Sequence, residues 1–540
     1  MRRNTGEDQE REAFAPPGRT PKEDVSSVMK FYKLPKAFPP QVLEEALEAE
    51  RAGLGDAGKR MDLRRRFIFT CDPDTARDFD DALSLETDRR GNRVLGVHIA
   101  DVGHYVRPGS AIDREAYKRG TSVYLCGSVV PMLPEALSNV LCSLVPGEDR
   151  LAFSVFVTFD AKGRAISRRF AKSIIRSKAR FTYGQVMDII SGQIPAGVQK
   201  TAAKTIRSIS KLAQQIRASR FALGALDLEV PEAEVKLDDR GEMSGIEMRP
   251  YDESHQMVEE CMVAANEAVA AELWTNGIKI LARLHEPPDE EKLQSLRVEL
   301  RGMGVKVGDL SKPKVFSQFM QSIKTHPLYQ TIALMVLRSM KRAVYDPSAI
   351  GHFGLAKKYY AHFTSPIRRY PDLTLHRQLA AYLVRKDSTA IGKTYDPRIP
   401  PRLLERWAAQ SNEREELAAE AERSILEIKK FRLLEKQLKS ARPVEYEAVV
   451  SKCMPFGCFV EIPDIAASGL VHVSLLSNRF VDFNQSDQTL SAVGGGRWAP
   501  GMRMKVCIAR VDFEGRRLDF APVRPLRRAK ALHRNKRYWK

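Results

Sequence analysis

The chain has 540 residues, 87 of them Lys or Arg and 68 Asp or Glu, for a formal charge of +19, and 43% are hydrophobic. These values suit two or three globular domains and exclude a wholly disordered or fibrous chain. The charge makes an anionic polymer the first partner to consider, although charge alone identifies none.

The N-terminal stretch MRRNTGEDQEREAFAPPGRT mixes acids with bases, unlike a secretory signal or transit peptide, and residues 1 to about 28 read as a disordered tail. From Val28 to about Gly58 the pattern turns helical, with LEEALEAE its clearest stretch, and the basic run KRMDLRRR follows. FIFTCD predicts a strand, ALSLETDRRGNRVLGVHIADV a hairpin turning at Gly91 and Asn92, and RLAFSVFVTFDAKGRA a second hairpin. QMVEECMVAANEAVAAELW predicts an amphipathic helix; helices dominate from there to a long charged one over roughly Pro401 to Ser440. At Ala441 the texture changes to short alternating strands, the pattern of a small β-barrel, before the basic tail RPLRRAKALHRNKRYWK. The expected organisation is a tail and helical lead-in over 1–61, an α+β domain over 62–440, a barrel over 441–523 and a basic tail over 524–540. Seven scattered cysteines form neither a disulfide framework nor a CxxC zinc pattern. No apolar run approaches the roughly 18 residues of a membrane helix. A cytoplasmic protein without a membrane partner is expected.

Two segments carry chemistry. CDPDTARDFDDALSLE places Asp72, Asp74, Asp78, Asp80 and Asp81 within ten residues. Carboxylates this close need cations or must protonate. Oxygen-only ligands favour Mg²⁺ or Mn²⁺. A solvated acidic loop is the alternative; an EF-hand is excluded, because Ala76 and Arg77 stand where a ligand and the turn glycine belong. Carboxylate-held metal in a basic protein suggests phosphoryl transfer on a nucleic acid. The second segment, YYAHFTSPIRRYPDLTLHRQL, sets Arg368 and Arg369 between Pro366 and Pro371. Such guanidinium groups either grip a phosphate and neutralise charge developing at phosphorus, or simply satisfy helix carboxylates.

DPDTARDFDDA, GVHIADVGHYV, GTSVYL, MLPEALSNVLCSL, SHQMVEECMVAAN and HFTSPIRRYPDLTLHR occur in that order. Together they resemble the ribonuclease II/ribonuclease R (RNB) family of exoribonucleases, from about Asp62 to Gln437. FGCFVEI and GLVHVS resemble an S1-type OB domain. RRYPDLTLHR and the basic tail incline to the ribonuclease R type. The resemblance implies a monomeric, processive 3′→5′ exoribonuclease that takes the 3′ end of single-stranded RNA and releases nucleoside 5′-monophosphates. No small-molecule cofactor is implied. Asp72, Asp78, Asp80 and Asp81 would hold Mg²⁺ or Mn²⁺, Asp80 being the most needed for cleavage and Asp74 a loop residue. Arg368 would be the catalytic arginine and Arg369 its neighbour on RNA.

The resemblance further implies that Tyr124 clamps the last nucleotide and that Tyr183 bounds the base stack, unless it is a core tyrosine. Glu422 would lie near the terminal nucleotide, unless it is a solvated helix residue. Contacts to the 2′-hydroxyl are placed on the helix of Glu259, Glu260 and Asn266. His98, His104, His362 and His376 are read as structural, lacking zinc spacing. On the barrel, Phe456, Phe459 and His472 are candidates for stacking on RNA, with Phe459 alternatively in the core. Most of the family carry two cold-shock domains before the catalytic domain, and fewer than about 65 residues precede it here. Two rival readings are a noncatalytic RNA-binding or ribosome-associated factor, and an enzyme of the same chemistry acting on DNA or endonucleolytically.

Overall fold

The structure is a computed structural model that describes residues 14–55, 60–227, 233–238, 242–248, 251–326, 328–386, 396–485 and 487–523. The expected basic tail lies outside the described residues.

Alternating apolar positions build the central sheet. Its strands are β1 (Met61–Asp62), β2 (Phe69–Asp72), β3 (Asp81–Thr87) and β4 (Arg93–Ala100), then, after a separate hairpin of β5 (Val123–Leu125) and β6 (Ser128–Val130), β7 (Asp149–Phe159), β8 (Ala165–Arg176) and β9 (Ala179–Thr182). The order is β1-β8-β7-β4-β3-β2-β9, with β1/β8 and β2/β9 parallel and the other pairs antiparallel. Leu95, Val97 and Ile99 of β4 and Phe153, Val155 and Val157 of β7 pack on one face against helices Lys200–Ala222 and Glu253–Thr275. Ala100, Ala152 and Phe156 turn to the other face, under helices Pro40–Ala52 and Ala111–Arg119. With helices on both sides, β4 and β7 are buried along most of their length, which places the sheet at the centre of an α+β domain.

Both predicted hairpins form, as β3/β4 with Gly91 at φ 82° in the turn and as β7/β8. Helix Glu253–Thr275 departs from the amphipathic expectation. Val263, Ala264, Ala265 and Asn266 are consecutive and all buried, because the helix is enclosed rather than half-exposed. The disordered reading of residues 1–28 is corrected for 14–28. Ala15 is buried, and helix Asp24–Phe31 begins at a fully buried Asp24 that accepts 2.8 Å bonds from Arg432 and lies 3.7 Å from Lys429. A charge-rich segment is ordered here because its acid meets two cations of the long helix Pro401–Leu438.

Tyr446–Met454, Gly457–Ile462, Ala467–His472, Arg503–Asp512 and Arg517–Pro522 close into a five-stranded barrel, the OB architecture. It seats on the long helix through Arg516 to Glu427 at 3.1 Å and the Lys430 ammonium on the Ala466 carbonyl. No helix among the described residues is long and apolar enough to cross a membrane.

Buried histidines give the fold a pH dependence. His98 sits between the hydroxyls of Ser84 and Ser154 at 2.9 and 2.7 Å, and burial lowers its pKa to about 3; burial likewise lowers His376 to about 4. The unfolded chain binds these protons near pH 6.5, so each contribution is complete above that pH and is lost as pH falls towards the folded values. Each histidine should therefore cost about 1.4 kcal/mol of stability on going from well above pH 6.5 to pH 5.5. Urea midpoints at pH 7.5 and 5.5 test this, and His98→Gln should narrow the difference by about that amount.

Candidate active site

β2 ends at Asp72 and its antiparallel neighbour β3 begins at Asp81, so the loop between them returns the acidic residues to one end of this strand pair. The loop is held on several sides. Ser143 Oγ accepts the Phe79 amide at 3.0 Å and donates to the Arg77 carbonyl at 2.7 Å, with the Phe79 ring in the core. Arg180 donates to the carbonyls of Pro73 and Asp74 at 2.8 and 2.9 Å and covers the Phe79 ring. The Ala100 amide closes the set with a 2.8 Å bond to the Asp80 carbonyl. Asp74 is exposed, as a loop residue should be.

Asp72 and Asp80 are only 9% and 5% exposed. Burial, then the charges of Asp81 and Asp78 against only partial relief, pushes Asp72 up to about 8. Burial also raises Asp81 to about 6 and Asp80 well above the usual carboxylate range, with Arg368 opposing both shifts. Asp72 Oδ2 is buried without a hydrogen-bond partner. Among the described residues no three His, Cys, Asp or Glu side chains already stand as a ligand set. The donors are nonetheless all oxygen, crowded and under-neutralised, and one is orphaned. They fit a hard divalent cation, which would relieve both the repulsion and the unmet acceptor.

Residues 364–372 face this group. The Ile367 amide donates to Asp80 Oδ1 at 3.0 Å, and Arg368 Nε lies 3.9 Å from Asp80 Oδ2, with Nη2 on Ser365 Oγ at 3.1 Å. Asp372, fully buried, accepts the Ser365 amide and Arg369 Nη2, both at 2.8 Å. Arg369 is thus a correction. Its guanidinium is turned inward to Asp372, only 17% exposed, and takes the carboxylate-satisfying role, leaving Arg368 to face the aspartates. The Arg368 carbonyl accepts the Ser122 amide and the Thr121 hydroxyl, both at 3.0 Å, docking this segment onto GTSVYL.

That contact brings in Tyr124. In the β5/β6 hairpin Val123 and Leu125 point into the core and Tyr124 points out, 41% exposed. Cys126 and Gly127 turn the hairpin with φ 31° and 87°, the paired positive values of a two-residue turn. Glu422 Oε1 accepts the Tyr124 amide at 2.9 Å, so this glutamate is tied to the hairpin rather than merely solvated. Partial burial raises the Tyr124 hydroxyl pKa, with Arg368 opposing and Asp78, Asp80 and Glu422 reinforcing. Tyr183 is half-buried against the main core and stacked on His255.

Of Glu259, Glu260 and Asn266, the residues expected to contact the 2′-hydroxyl, Glu259 is partly exposed and accepts the Tyr251 hydroxyl, whereas the other two are turned inward. Glu260 is buried in an ion pair with Arg220, and Asn266 Oδ1 accepts the Phe363 amide at 2.8 Å, both internal roles. His376 donates to the Phe363 carbonyl at 2.8 Å, His362 bonds Tyr345 at 2.9 Å and His104 Nδ1 lies 3.3 Å from Arg60, consistent with structural histidines. On the barrel, alternation buries Cys458 and Val460 and exposes Phe459, 6.1 Å from the exposed Phe456 in edge contact. His472 lies opposite Gly457, where a Cβ would stand 2.3 Å from the Val471 carbonyl. Sequence reasoning missed Arg180, Ser143 and Asp372. Each works through a backbone group or a single ion pair, which leaves no spacing pattern to read.

The RNB domain family matches residues 60–385 and the S1 RNA binding domain family residues 444–521. Ribonuclease R of Thermotoga maritima is 38% identical over 515 residues, covering 93% of this chain and 71% of the relative. That of Escherichia coli K12 is 35% identical over 513, covering 92% and 62%. Among solved structures, Mycoplasma genitalium RNase R in complex with ribose methylated single-stranded RNA matches with a TM-score of 0.83 at 29% identity, covering 93% of this chain and 78% of that one. The same protein with double-stranded RNA matches at 0.78 and 28%, covering 93% and 83%. The chain belongs to the RNB family of metal-dependent hydrolases. It is a 3′→5′ exoribonuclease, similar over most of its length to ribonuclease R.

The two neighbouring arginines should separate by experiment. Arg369→Gln should cost about 3 kcal/mol in urea unfolding, because it leaves Asp372 buried and unpaired. Arg368→Gln should stay within about 0.5 kcal/mol of the parent while RNA turnover falls.

Proposed function

We propose that this enzyme digests single-stranded RNA processively from the 3′ end to nucleoside 5′-monophosphates, with Asp72, Asp78, Asp80 and Asp81 holding Mg²⁺ or Mn²⁺. The observation that carries the reading is the buried carboxylate group under Arg368, acid-rich in a chain of charge +19 and unable to ionise fully without cations. Bound metal supplies a water nucleophile at neutral pH and positive charge at the scissile phosphate.

The chain's own residues do the rest. Asp80, fixed through one oxygen by the Ile367 amide, keeps its other oxygen on the side of Arg368, where it would serve a cation. Arg368, anchored through its carbonyl to Thr121 and Ser122 and partly exposed, neutralises charge that builds on the phosphate oxygens. Tyr124 stacks on the last base whatever its identity, its strand held by Glu422, and Tyr183 helps bound the base stack. Arg369 acts by holding Asp372 and not through RNA. The exposed Phe456 and Phe459, with His472 beside them, offer a second stacking surface on the barrel. The RNA held in the similar Mycoplasma genitalium structures supports that polymer as substrate. Seven cysteines without a disulfide agree with action in the cytoplasm, and we take the enzyme as a monomer.

A 5′-labelled single-stranded RNA incubated with Mg²⁺ should shorten to one small end-product with mononucleotides released and no mid-length fragments. Asp80→Asn should slow this at least about a hundredfold. Digestion of single-stranded DNA at the same rate, or internal cuts, would contradict the reading.

A further inference from the structure

Tyr183 opens helix Tyr183–Ile190 one residue past Thr182, which lies opposite Asp72 in the β2/β9 register. Its ring is stacked face to face on His255, with centroids 3.9 Å apart and planes 11° from parallel. The imidazole is itself held. Asp252, the N-cap of helix Glu253–Thr275, lies with Oδ1 2.9 Å from His255 Nδ1, and the same oxygen accepts the amides of Ser254 and His255 at 3.0 and 3.4 Å. A carboxylate at such a cap only accepts, so the proton sits on Nδ1 and the ring orientation is fixed by the cap. Beyond His255 the Tyr251 ring follows at 6.2 Å, its hydroxyl on Glu259.

One face of Tyr183 is therefore held against the His255 ring. An unsupported ring loses rotamer freedom when it stacks on a ligand, whereas a ring already pinned has little left to lose. We infer that His255 is a positioning residue that fixes the ring plane of Tyr183 for stacking against a nucleotide base beside the aspartate group. The inference rests on the reading of Tyr183 as a base contact. Its effect belongs to RNA binding, since the charges that act on the phosphate lie on Asp80 and Arg368.

The test is steady-state digestion of an oligoribonucleotide with Mg²⁺ by the full chain and its variants. His255→Ala should raise KM about 3- to 10-fold and leave kcat within about twofold. His255→Phe keeps a flat ring without the Asp252 bond and should recover most of the loss. Tyr183→Ala should raise KM at least as far, and the double variant Tyr183→Ala/His255→Ala should be no worse than Tyr183→Ala alone. Should His255→Ala fold poorly, Asp252→Ala removes the acceptor that holds the imidazole while keeping the ring and should give a smaller rise in KM. An unchanged KM in the His255 variants, a fall in kcat alone, or additive losses in the double variant would overturn the positioning role and leave Tyr183 as a base contact. An unchanged KM in Tyr183→Ala would overturn the base contact, and the inference with it.

Discussion

The constraint on which the site depends is electrostatic: Asp72, Asp80 and Asp81 meet where β2 ends and β3 begins, in surroundings that penalise their charge. Burial alone would protonate Asp72, Asp80 and Asp81, and Arg368 offsets only part of that tendency at Asp80 and Asp81. The fold accepts this cost because the loop backbone is fixed independently of its carboxylates, by Ser143, Arg180 and the Ala100 amide. The loop backbone is thus held in place before any cation arrives, and it is the carboxylate side chains that a cation would draw together.

Around that point the chain gathers parts far apart in sequence. The Ile367 amide reaches Asp80 across 287 positions, and Glu422 reaches the Tyr124 strand across 298. Helix Pro401–Leu438 carries Glu422 midway, pairs with Asp24 further along, and seats the barrel through Glu427 and Lys430. One helix therefore connects the Tyr124 hairpin to the barrel. A shift of that helix would be felt at both.

What the sequence made legible follows from locality. The aspartate segment, both hairpins and the barrel strands are read from neighbours, so spacing and alternation reveal them. The α+β domain and OB barrel followed from those elements and from the ordered motifs. Long-range pairings were harder. Asp24 looked like part of a solvated tail because its partners, Lys429 and Arg432, lie some 400 residues away. Arg368 and Arg369 carry the same chemistry side by side, and only the turn at Ser365 decides which faces the acids. Glu260 and Asn266 were plausible polar contacts until the helix bearing them proved enclosed.

The central claim, that the carboxylates await a cation, is tested most directly by calorimetric titration of Mn²⁺ into the RNA-free enzyme at pH 7 in two buffers of different ionisation enthalpy. With Asp72 pushed up to about 8, its proton is still largely bound at that pH. The account predicts binding accompanied by proton release, to which Asp72 and Asp80 both contribute, with Asp72→Asn weakening the binding and reducing the release. Binding with no proton released, or equal binding by Asp72→Asn, would contradict it.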